Sequence, residues 1–528
     1  MMRQFAMLAL AGLLVGCGAA GTTPPAVHGQ VTTADGKPAS GAILTLTEAA
    51  SGIEHSVFAD AEGRYRFGLA GGAGWKLRAQ RPGAIPAVQA LPANAAASET
   101  NLTLAAQPQP SLAATSEQWL ALLPDGDMRR EFIVNCTTCH SIAASRVLVD
   151  GKPRDKAGWL TAIKAMRAMD AYENIPADFN DDAYAQWLAT AWSEATIGSV
   201  ASAKAIEPAL AAKVEITEYP YPSLTELPHD LAIAPDGRVW VTGFFEGDML
   251  ALDPATGKTQ RFPVNGGKPG GDVRALKFAA DGGLWVVLGG TQSLVRLDVK
   301  TGKTQTFPAK MYAHDVELDS KGRPWLNDYF GKPERVARLD PATGAVAEYV
   351  IAAPQLTKAQ GKPLPYGLQI DRNDILWGSQ LAANTLFRLD PVTGKSEVFP
   401  MPAGNSGPRR LALGKDGTIW IPEWNTGYLT GFDPKTRSFK RHRIGSPTIG
   451  AYDAEVDPRS GVVWITGSLA STIIRFDPAS GRVDTIPLPT DPAFMRHIAV
   501  DARNGDVWAT YSQLPASTPK IVRIRFSG

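Results

Sequence analysis

The chain has 528 residues, of which 44% are hydrophobic and 20% are charged, and its formal net charge is +1. These proportions are ordinary for globular proteins, and at about 150 residues per domain the length predicts three or four domains. The balanced charge gives no reason to expect a polyanionic partner, so nucleic-acid binding is not predicted. The 51 glycines and 40 prolines predict many short strands and turns.

The first residues predict export from the cytoplasm. A basic start at Arg3 precedes an apolar run over residues 5–15, which is too short for a comfortable membrane span and is typical of a signal peptide. The run ends at Leu14-Val15-Gly16-Cys17, which resembles a bacterial lipobox and makes residues 1–17 a predicted lipoprotein signal segment, with Cys17 lipidated and first in the mature chain. An ordinary cleaved signal that removes Cys17 is the alternative.

This resemblance implies a location in the cell envelope of a Gram-negative-type bacterium. We expect a lipid-anchored, periplasm-facing lipoprotein. Residue 18 is Gly rather than the Asp that resembles an inner-membrane retention signal, which favours the outer membrane.

Residues 27–106 read as short strands separated by turns. Arg64-Tyr65-Arg66-Phe67 alternates polar and apolar residues, and Asp35-Gly36 and Glu62-Gly63 are turn pairs. These phrases together resemble the carboxypeptidase regulatory-like domain. The resemblance implies a small transthyretin-like β-sandwich that serves as a spacer or weak binding module, without catalysis.

The sequence Cys136-Thr137-Thr138-Cys139-His140 has the C-x-x-C-H spacing of a covalent haem c site. Two thiols at this spacing can each form a thioether to the porphyrin, and the adjacent His140 can bind the iron as an axial ligand. A thiol redox pair would leave His140 unexplained, and a closed zinc site would need further cysteines, of which the chain has only one more. We therefore predict one covalent haem c.

The surrounding residues predict helices. Apolar residues recur at helical spacing over residues 125–135 and 155–167, and a third helix is predicted after Asn180, which is a favourable N-cap. Residues 112–197 together resemble a small all-α cytochrome c domain, which implies a methionine as the second axial ligand. We predict Met166 in that role and Met169 as the alternative; Met166 can also be core packing beside a five-coordinate iron.

Residues 214–528 repeat one unit with a period of about 44 residues. A strand that ends in tryptophan recurs seven times, each after a turn, at Trp240, Trp285, Trp325, Trp377, Trp420, Trp464 and Trp508. Four short strands in each of seven units predict a seven-bladed β-propeller. The last unit lacks an outer strand, which residues 214–220 can supply to close the ring. The predicted fold is thus a mostly β multidomain chain.

The propeller resembles the streptogramin (virginiamycin B) lyase family, in the phrases Leu227-Pro228-His229-Asp230 and Ile419-Trp420-Ile421-Pro422-Glu423-Trp424. The resemblance implies a His general base in one blade and a Glu that binds magnesium. Glu423 matches that Glu, so it is a candidate ligand of a divalent metal, but the His position holds Arg409. A guanidinium stays charged and cannot act as the base, which argues against lyase activity.

The first residues of the blades are predicted to face the central funnel. They are His229, Arg274, His314, Tyr366, Arg409, Tyr452 and Arg496, with His497 next. Imidazoles with nearby carboxylates suit a transition metal, carboxylates alone suit calcium or magnesium, and the arginines suit an anionic or carbonyl-bearing ligand. His229, His314, Arg409 and His497 are the catalytic candidates, and a second metal in the funnel is one hypothesis. The alternative is that these residues satisfy loop backbone groups.

Two classes of function follow. The favoured one is an oxidoreductase or electron-transfer protein, in which electrons pass between a small-molecule substrate or partner at the propeller and a soluble cytochrome c or respiratory oxidase. The alternative is a streptogramin lyase-like carbon–oxygen lyase, or a ligand-binding propeller, with an accessory cytochrome domain.

Overall fold

The computed structural model describes residues 27–92, 99–137, 140–168, 180–354, 364–513 and 516–527. The signal segment with Cys17, the second haem cysteine Cys139 and the alternative ligand Met169 lie outside the described residues. Within the described ranges, no helix is both long and apolar enough to cross a membrane.

Two small sheets form the N-terminal sandwich. Its strands are β1 His28–Thr33, β2 Ile43–Thr47, β3 Glu54–Phe58, β4 Arg64–Arg66, β5 Lys76–Gln80, β6 Ala84–Ile85, β7 Ala87–Ala90 and β8 Leu102–Ala106. One sheet has the order β4-β1-β8-β6, and the other contains β3-β2-β5-β7. Apolar side chains such as Leu44, Leu46 and Phe67 are buried between them, which confirms the predicted β-sandwich.

A helical segment follows. Its elements are a 3₁₀ turn Pro110–Ala113, helices α1 Ser116–Ala121, α2 Asp127–Cys136, α3 Ala144–Val147, α4 Lys156–Ala168, α5 Asp181–Ala191, α6 Glu194–Ile197 and α7 Pro208–Ala211, and a short hairpin of β9 Leu148–Val149 and β10 Lys152–Pro153. The predicted helices over residues 125–135 and 155–167 correspond to α2 and α4 within two residues at each end, and the third begins after Asn180 as predicted. Asn180 caps α5, since its side chain accepts a hydrogen bond from the Ala183 amide at 3.0 Å.

Aromatic side chains form the core of the helical segment. Trp192 is fully buried, its ring packs edge-on against Trp119 and Phe132, and its Nε1 donates to the Trp119 carbonyl at 2.8 Å. Trp159 of α4 packs on the same ring. This packing sets the position of α2, the helix that ends at Cys136, relative to α4.

The propeller has, in the described residues, seven antiparallel blades of four strands, of which six are separate sheets and the seventh is part of a larger sheet. Blades 1 to 4 contain β12 Pro228–Ile233, β13 Val239–Gly243, β14 Asp248–Leu252 and β15 Thr259–Pro263; β16 Val273–Phe278, β17 Leu284–Leu288, β18 Ser293–Leu297 and β19 Thr304–Pro308; β20 Ala313–Leu318, β21 Pro324–Asp328, β22 Arg335–Leu339 and β23 Val346–Val350; and β24 Pro365–Ile370, β25 Leu376–Gln380, β26 Thr385–Leu389 and β27 Ser396–Pro400.

Blades 5 to 7 complete the ring. They contain β28 Ala412–Leu413, β29 Ile419–Glu423, β30 Tyr428–Asp433 and β31 Ser438–Arg443; β32 Ala451–Val456, β33 Val463–Gly467, β34 Thr472–Phe476 and β35 Val483–Pro487; and β36 Met495–Val500, β37 Val507–Gln513 and β38 Ser517–Phe526 with β11 Val214–Pro220. Strand β11 pairs along its whole length with β38, from Val214 opposite Phe526 to Pro220 opposite Lys520. This pairing confirms the predicted closure, and β12 of blade 1 packs against β36 of blade 7.

The sheet of blade 7 continues into the sandwich. The free edge of β11 pairs with β3, with Ile216 opposite Ser56, so that one eight-stranded sheet runs β36-β37-β38-β11-β3-β2-β5-β7. Lys520 forms ion pairs across this junction, since its Nζ lies 2.8 Å from Glu54 Oε2 and 3.2 Å from the buried Glu218 Oε2. The sandwich therefore covers an edge that the propeller would otherwise expose, a contact that the sequence did not predict.

Candidate functional site

β-Bulges place the first residues of the blades at the funnel. In six blades the register of the innermost strand shifts across two residues, for example between Pro228 and Leu231 in blade 1 and between Ala313 and Val316 in blade 3. A bulge bends its strand and redirects the side chains that it carries. The shifts enclose His229, Arg274, His314, Tyr366, Tyr452, Arg496 and His497.

Arg410 spans the centre of the ring from blade 5. Its Nη2 donates to both carboxylate oxygens of Asp230, in blade 1, at 2.7 and 2.8 Å, and its Nη1 lies 3.8 Å from Asp315 in blade 3. The side chains of Arg410 and Asp230 are only 5% and 2% exposed. The bulged residues of non-adjacent blades are thus joined by one buried cation.

The histidines of the funnel are neutral at ordinary pH. Burial lowers the pKa of His229 and His314 well below the usual value, and neighbouring arginines add to the effect. Burial also lowers the pKa of the half-buried His497 to about 3, against the opposing charge of Asp230. His229 Nδ1 lies 2.7 Å from Asp230 Oδ1, and its ring lies 6.2 Å from that of His314.

Burial shifts the pKa of two funnel carboxyl groups upwards, towards the protonated form. Burial raises the pKa of Asp315 to about 7, although Arg410 opposes the shift, and it raises the pKa of Asp453 in blade 6 as well. Both carboxylates also link blades, since Asp315 Oδ2 accepts from the Leu368 amide at 2.9 Å and Asp453 Oδ2 from the Ile498 amide at 3.0 Å. They therefore have a structural role whatever else they do.

An aromatic cluster surrounds Arg409, the predicted catalytic candidate that replaces the family's histidine. Arg409 is fully buried, and its Nη1 donates to the Tyr366 hydroxyl at 2.8 Å. Its guanidinium carbon lies 4.6 Å from the ring centre of Trp424 and 4.5 Å from that of Tyr452, and the hydroxyls of Tyr366 and Tyr452 share a hydrogen bond. The cation thus occupies an aromatic box.

Several buried polar nitrogens point to a ligand. Arg274 Nε, Arg410 Nε, His314 Nδ1 and His497 Nδ1 have no hydrogen-bond partner among the described residues. Buried polar groups without partners are costly, and the two arginine Nε donors among them favour an anionic or carbonyl-bearing ligand. The structure brings His229, His314, Arg409 and His497 to this funnel; their catalytic role stays a prediction.

One side of the funnel mouth carries a row of aromatic rings. The guanidinium of Arg274 lies 5.0 Å from the ring centre of Phe244 and 4.8 Å from that of Tyr312. Phe245 packs edge-on against Phe244, and Phe330 packs against Tyr312. Phe245 and Phe330 are 51% and 43% exposed. The row was not predicted from the sequence, although the pair Phe244-Phe245 follows directly after a predicted strand.

Glu423, the predicted divalent-metal ligand, lies apart from the funnel acids. Its carboxylate accepts hydrogen bonds from Arg441 at 2.9 and 2.7 Å and from the hydroxyls of Thr426 and Thr430. Burial acts to raise its pKa, but the hydrogen bonds from Arg441, Thr426 and Thr430 together outweigh burial and lower it. Metal binding by Glu423 stays a prediction, and it would require the ion to displace Arg441.

A different acidic set was missed by the sequence analysis. Glu226, Glu246 and Asp248 each place one carboxylate oxygen within 4.8 Å of the other two. Their separation in sequence hides the set, and only the pair Glu246-Gly247-Asp248 at a turn hinted at it.

The C-x-x-C-H segment begins at the end of α2. Cys136 is half-buried there, and the His140 ring Nδ1 lies 3.1 Å from the Ser141 carbonyl oxygen. A hydrogen bond from Nδ1 to a carbonyl leaves Nε2 unprotonated and able to bind a metal. Burial lowers the pKa of His140 to about 4, with the charges of Arg146 and Arg496 adding to the effect. A neutral imidazole beside a cysteine and apolar helices fits haem c.

Met166 lies on α4 with the buried residues Trp159 and Ile163. Its own side chain is half-buried. The position on a helix of the same core suits an axial ligand, but ligation by Met166 stays a prediction.

The helical segment packs on the propeller mouth. Trp424 Nε1 donates to the Ile133 carbonyl of α2 at 3.4 Å, and Gln513 Oε1 accepts from the Ser141 amide at 2.9 Å. On α1, the Glu117 amide donates to the Leu469 carbonyl at 2.7 Å. The residue that follows His140 is therefore hydrogen-bonded to a side chain of blade 7, on the face of the ring that carries the funnel residues.

Comparisons with known proteins agree with this architecture. The virginiamycin B lyase family model matches residues 257–526, and the carboxypeptidase regulatory-like domain model matches residues 26–107. The propeller is similar to a streptogramin B lyase structure, at 21% identity and a TM-score of 0.53 over 60% of this chain and 99% of that one. It is also similar to virginiamycin B lyase from Staphylococcus aureus, at 18% identity and a TM-score of 0.52 over 60% and 100% of the two chains.

A catalytically inactive variant of the S. aureus lyase, solved with quinupristin, is similar at 17% identity and a TM-score of 0.52, again over 60% of this chain and all of that one. At such identities the likeness to solved structures shows the fold alone. No match was found among curated proteins.

Proposed function

The chain belongs to the virginiamycin B lyase family, and from that premise we propose that it is a c-type haem protein in which the propeller binds the molecule that exchanges electrons with the haem. The observation that carries the proposal is the packing of α2 on the propeller mouth through Ile133 and Trp424. Such packing brings the C-x-x-C-H segment and the buried funnel into one continuous structure.

The residues that would hold the haem are Cys136 and Cys139 through thioethers, His140 through Nε2, and Met166 or Met169 on the opposite side. When bound, haem c supplies a one-electron redox centre. The hydrogen bond to Ser141 would keep His140 in the tautomer that binds iron, and Gln513 holds Ser141 in place. Residues 112–197 then constitute a cytochrome c domain.

The funnel residues support an anionic ligand with an aromatic ring. The unpartnered Nε groups of Arg274 and Arg410 would bind the anionic group, and the exposed rings of Phe245 and Phe330 flank the way in. Electrons would leave the haem for a soluble cytochrome c or a respiratory oxidase. The N-terminal segment supports a lipid-anchored, periplasm-facing location.

Lyase chemistry is the weaker alternative. Family membership favours it, but the position of the general base holds Arg409, a buried cation whose Nη1 donates to Tyr366. The matching acid Glu423 is occupied by Arg441 and two hydroxyls. Neither residue is available for proton abstraction or magnesium binding in this arrangement.

The test is the iron content and the absorption spectrum of the protein matured in a host that attaches haem c. We expect about one iron per chain and a haem that stays attached to the denatured chain, because thioethers are covalent. His140→Ala should abolish the native ligation, whereas His442→Gln, on an outer strand, should leave the spectrum unchanged. An unchanged spectrum in His140→Ala would refute the haem assignment.

The ligand class is tested by calorimetry on the same holoprotein with benzoate and the uncharged benzamide. We expect benzoate to bind more tightly, and Arg274→Gln to remove the difference. Equal binding of the two compounds to the unaltered protein would contradict the anionic ligand while leaving the haem assignment intact.

A further inference from the structure

Three carboxylates meet behind the turn that carries Phe244 and Phe245. Glu226 and Asp248 are buried and Glu246 is half-buried, and one oxygen of each lies within 4.8 Å of the others. Glu226 accepts hydrogen bonds from the backbone amides of Leu227 and Phe245, both at 2.7 Å, and of Glu246 at 2.9 Å. The cluster therefore holds the β13–β14 turn from behind.

Three buried oxygens at this cluster lack hydrogen-bond partners among the described residues. They are Glu246 Oε2, which contacts Arg261 as an ion pair, Asp248 Oδ1, and the hydroxyl of Tyr221, a residue that is 3% exposed. Burial and then the charges of Asp248 and Glu226 raise the pKa of Tyr221, so these carboxylates lie within electrostatic range of its hydroxyl. An unpartnered phenol beside an unpartnered carboxylate oxygen indicates a missing ligand.

Gly243 leaves room for that ligand. A Cβ at this position would lie 2.3 Å from Asp248 Oδ1 and 3.1 Å from Glu226 Oε2. The two oxygens therefore face a bare Cα, and any other residue at position 243 would fill the space between them.

The charge of the cluster is not balanced. Arg261 contacts Glu246, and its Nη1 lies 3.3 Å from Asp248 Oδ2, so one guanidinium faces three carboxylates. The Arg261 side chain is 41% exposed and can turn into solvent without leaving a buried cation behind. Oxygen donors without nitrogen or sulfur suit a hard cation, and their irregular arrangement suits Ca²⁺ better than the strictly octahedral Mg²⁺.

We propose that Glu226, Glu246 and Asp248 bind one Ca²⁺ ion, which fixes the β13–β14 turn and with it the aromatic side of the funnel mouth. The site lies in blade 1 and is separate from Glu423. It stands independently of the haem and of the ligand class proposed above.

The experiment is calorimetry of Ca²⁺ binding to the chelator-treated full-length holoprotein, with Tb³⁺ luminescence as a second readout. We expect one Ca²⁺ per chain and a weakening of at least about 10-fold in Asp248→Asn, since loss of a group that only supports a ligand already costs about 10–100-fold in metal affinity. We also expect Tb³⁺ emission that Tyr221→Phe diminishes. Glu348→Gln, which removes an exposed carboxylate from blade 3, should leave binding unchanged.

The variant Arg261→Gln distinguishes two roles for the carboxylates: binding of a metal ion, or pairing with Arg261 alone. If the guanidinium competes with the ion, this variant should bind Ca²⁺ more tightly than the unaltered protein. Absence of Ca²⁺ binding in both proteins would overturn the proposal, as would equal binding in Asp248→Asn. A preference for Mg²⁺ over Ca²⁺ would overturn the choice of ion. Circular dichroism verifies that each variant is folded, and Arg261→Gln keeps the test decisive if Asp248→Asn does not fold.

Discussion

Replacement of Arg410 by methionine should destabilise the propeller by several kilocalories per mole. Arg410 is the buried cation that pairs with Asp230 across the ring, and the two side chains are 5% and 2% exposed. Removal of one partner of a buried ion pair leaves an uncompensated charge and costs about 3–5 kcal/mol. Methionine preserves most of the volume, so the loss measures charge rather than packing.

The double variant Arg410→Met/Asp230→Asn tests this reasoning, because it removes the charge that the single variant leaves unpaired. We expect it to recover most of the lost stability, to within about 1–2 kcal/mol of the unaltered protein. The control is Arg437→Met, whose exposed pair with Glu397 should contribute about 1 kcal/mol or less.

The assay is urea unfolding followed by tryptophan fluorescence, since the buried tryptophans of the seven blades report on the propeller. If the free energy of unfolding falls no further in Arg410→Met than in the control, the claim that this pair stabilises the contact between the blades is refuted. A double variant that is less stable than Arg410→Met would show that the Asp230 side chain stabilises the fold by contacts other than the pair.

Three further predictions concern the haem ligand, a buried acid and the shared sheet. Met166→Ala should remove the sulfur-to-iron absorption band of the oxidised haem, and persistence of the band would transfer the assignment to Met169. Burial raises the pKa of Glu455 to about 7, so the folded state holds a proton that the unfolded state releases, and the free energy of unfolding falls as pH rises from about 4.5 to about 7. Glu455→Gln should remove this slope. In urea titrations at about pH 5 and pH 8, the stability of the variant relative to the unaltered protein should rise by about 2–3 kcal/mol between the two pH values. A chain without residues 27–106 exposes the edge of β11 and should aggregate or melt at a lower temperature in light scattering and thermal scans, whereas an unchanged melt would contradict a stabilising role for the β3 pairing.

The sequence predicted the propeller because each blade repeats local signals. A turn with glycine, an apolar-tryptophan pair such as Val239-Trp240, which the structure places at the start of a strand rather than at its end, and a hairpin recur at a constant period, and these signals depend on neighbours in the chain. Closure by β11 was predictable for the same reason, since residues 214–220 have the pattern of an outer strand but precede the first blade, while the last blade lacks an outer strand. The pairing of β3 with β11 was not predictable, because any strand edge can pair with another and the choice depends on how whole domains pack.

The candidate site was predictable only in part. The position of His229 and His314 at the start of blades places them near the funnel, since innermost strands begin there. The pair of Arg410 with Asp230 joins residues far apart in the chain, and the bulge that redirects Asp230 leaves no clear mark in the sequence. The short helices α1 and α3 were missed because they contain at most six residues, too few for a helical period to be visible.

The pairing of β3 with β11 determines how freely the helical segment can move. The chain leaves the sandwich, forms the helices and returns to the same sheet at β11, so both ends of the excursion are fixed, while α1 and α2 contact the propeller directly. A redox domain on a flexible linker must diffuse to its partner, and its rate depends on linker length and solvent viscosity. Here the fold fixes the distance between His140 and the funnel. Any electron exchange between them would therefore be a first-order step. Its rate constant would depend neither on protein concentration nor on solvent viscosity.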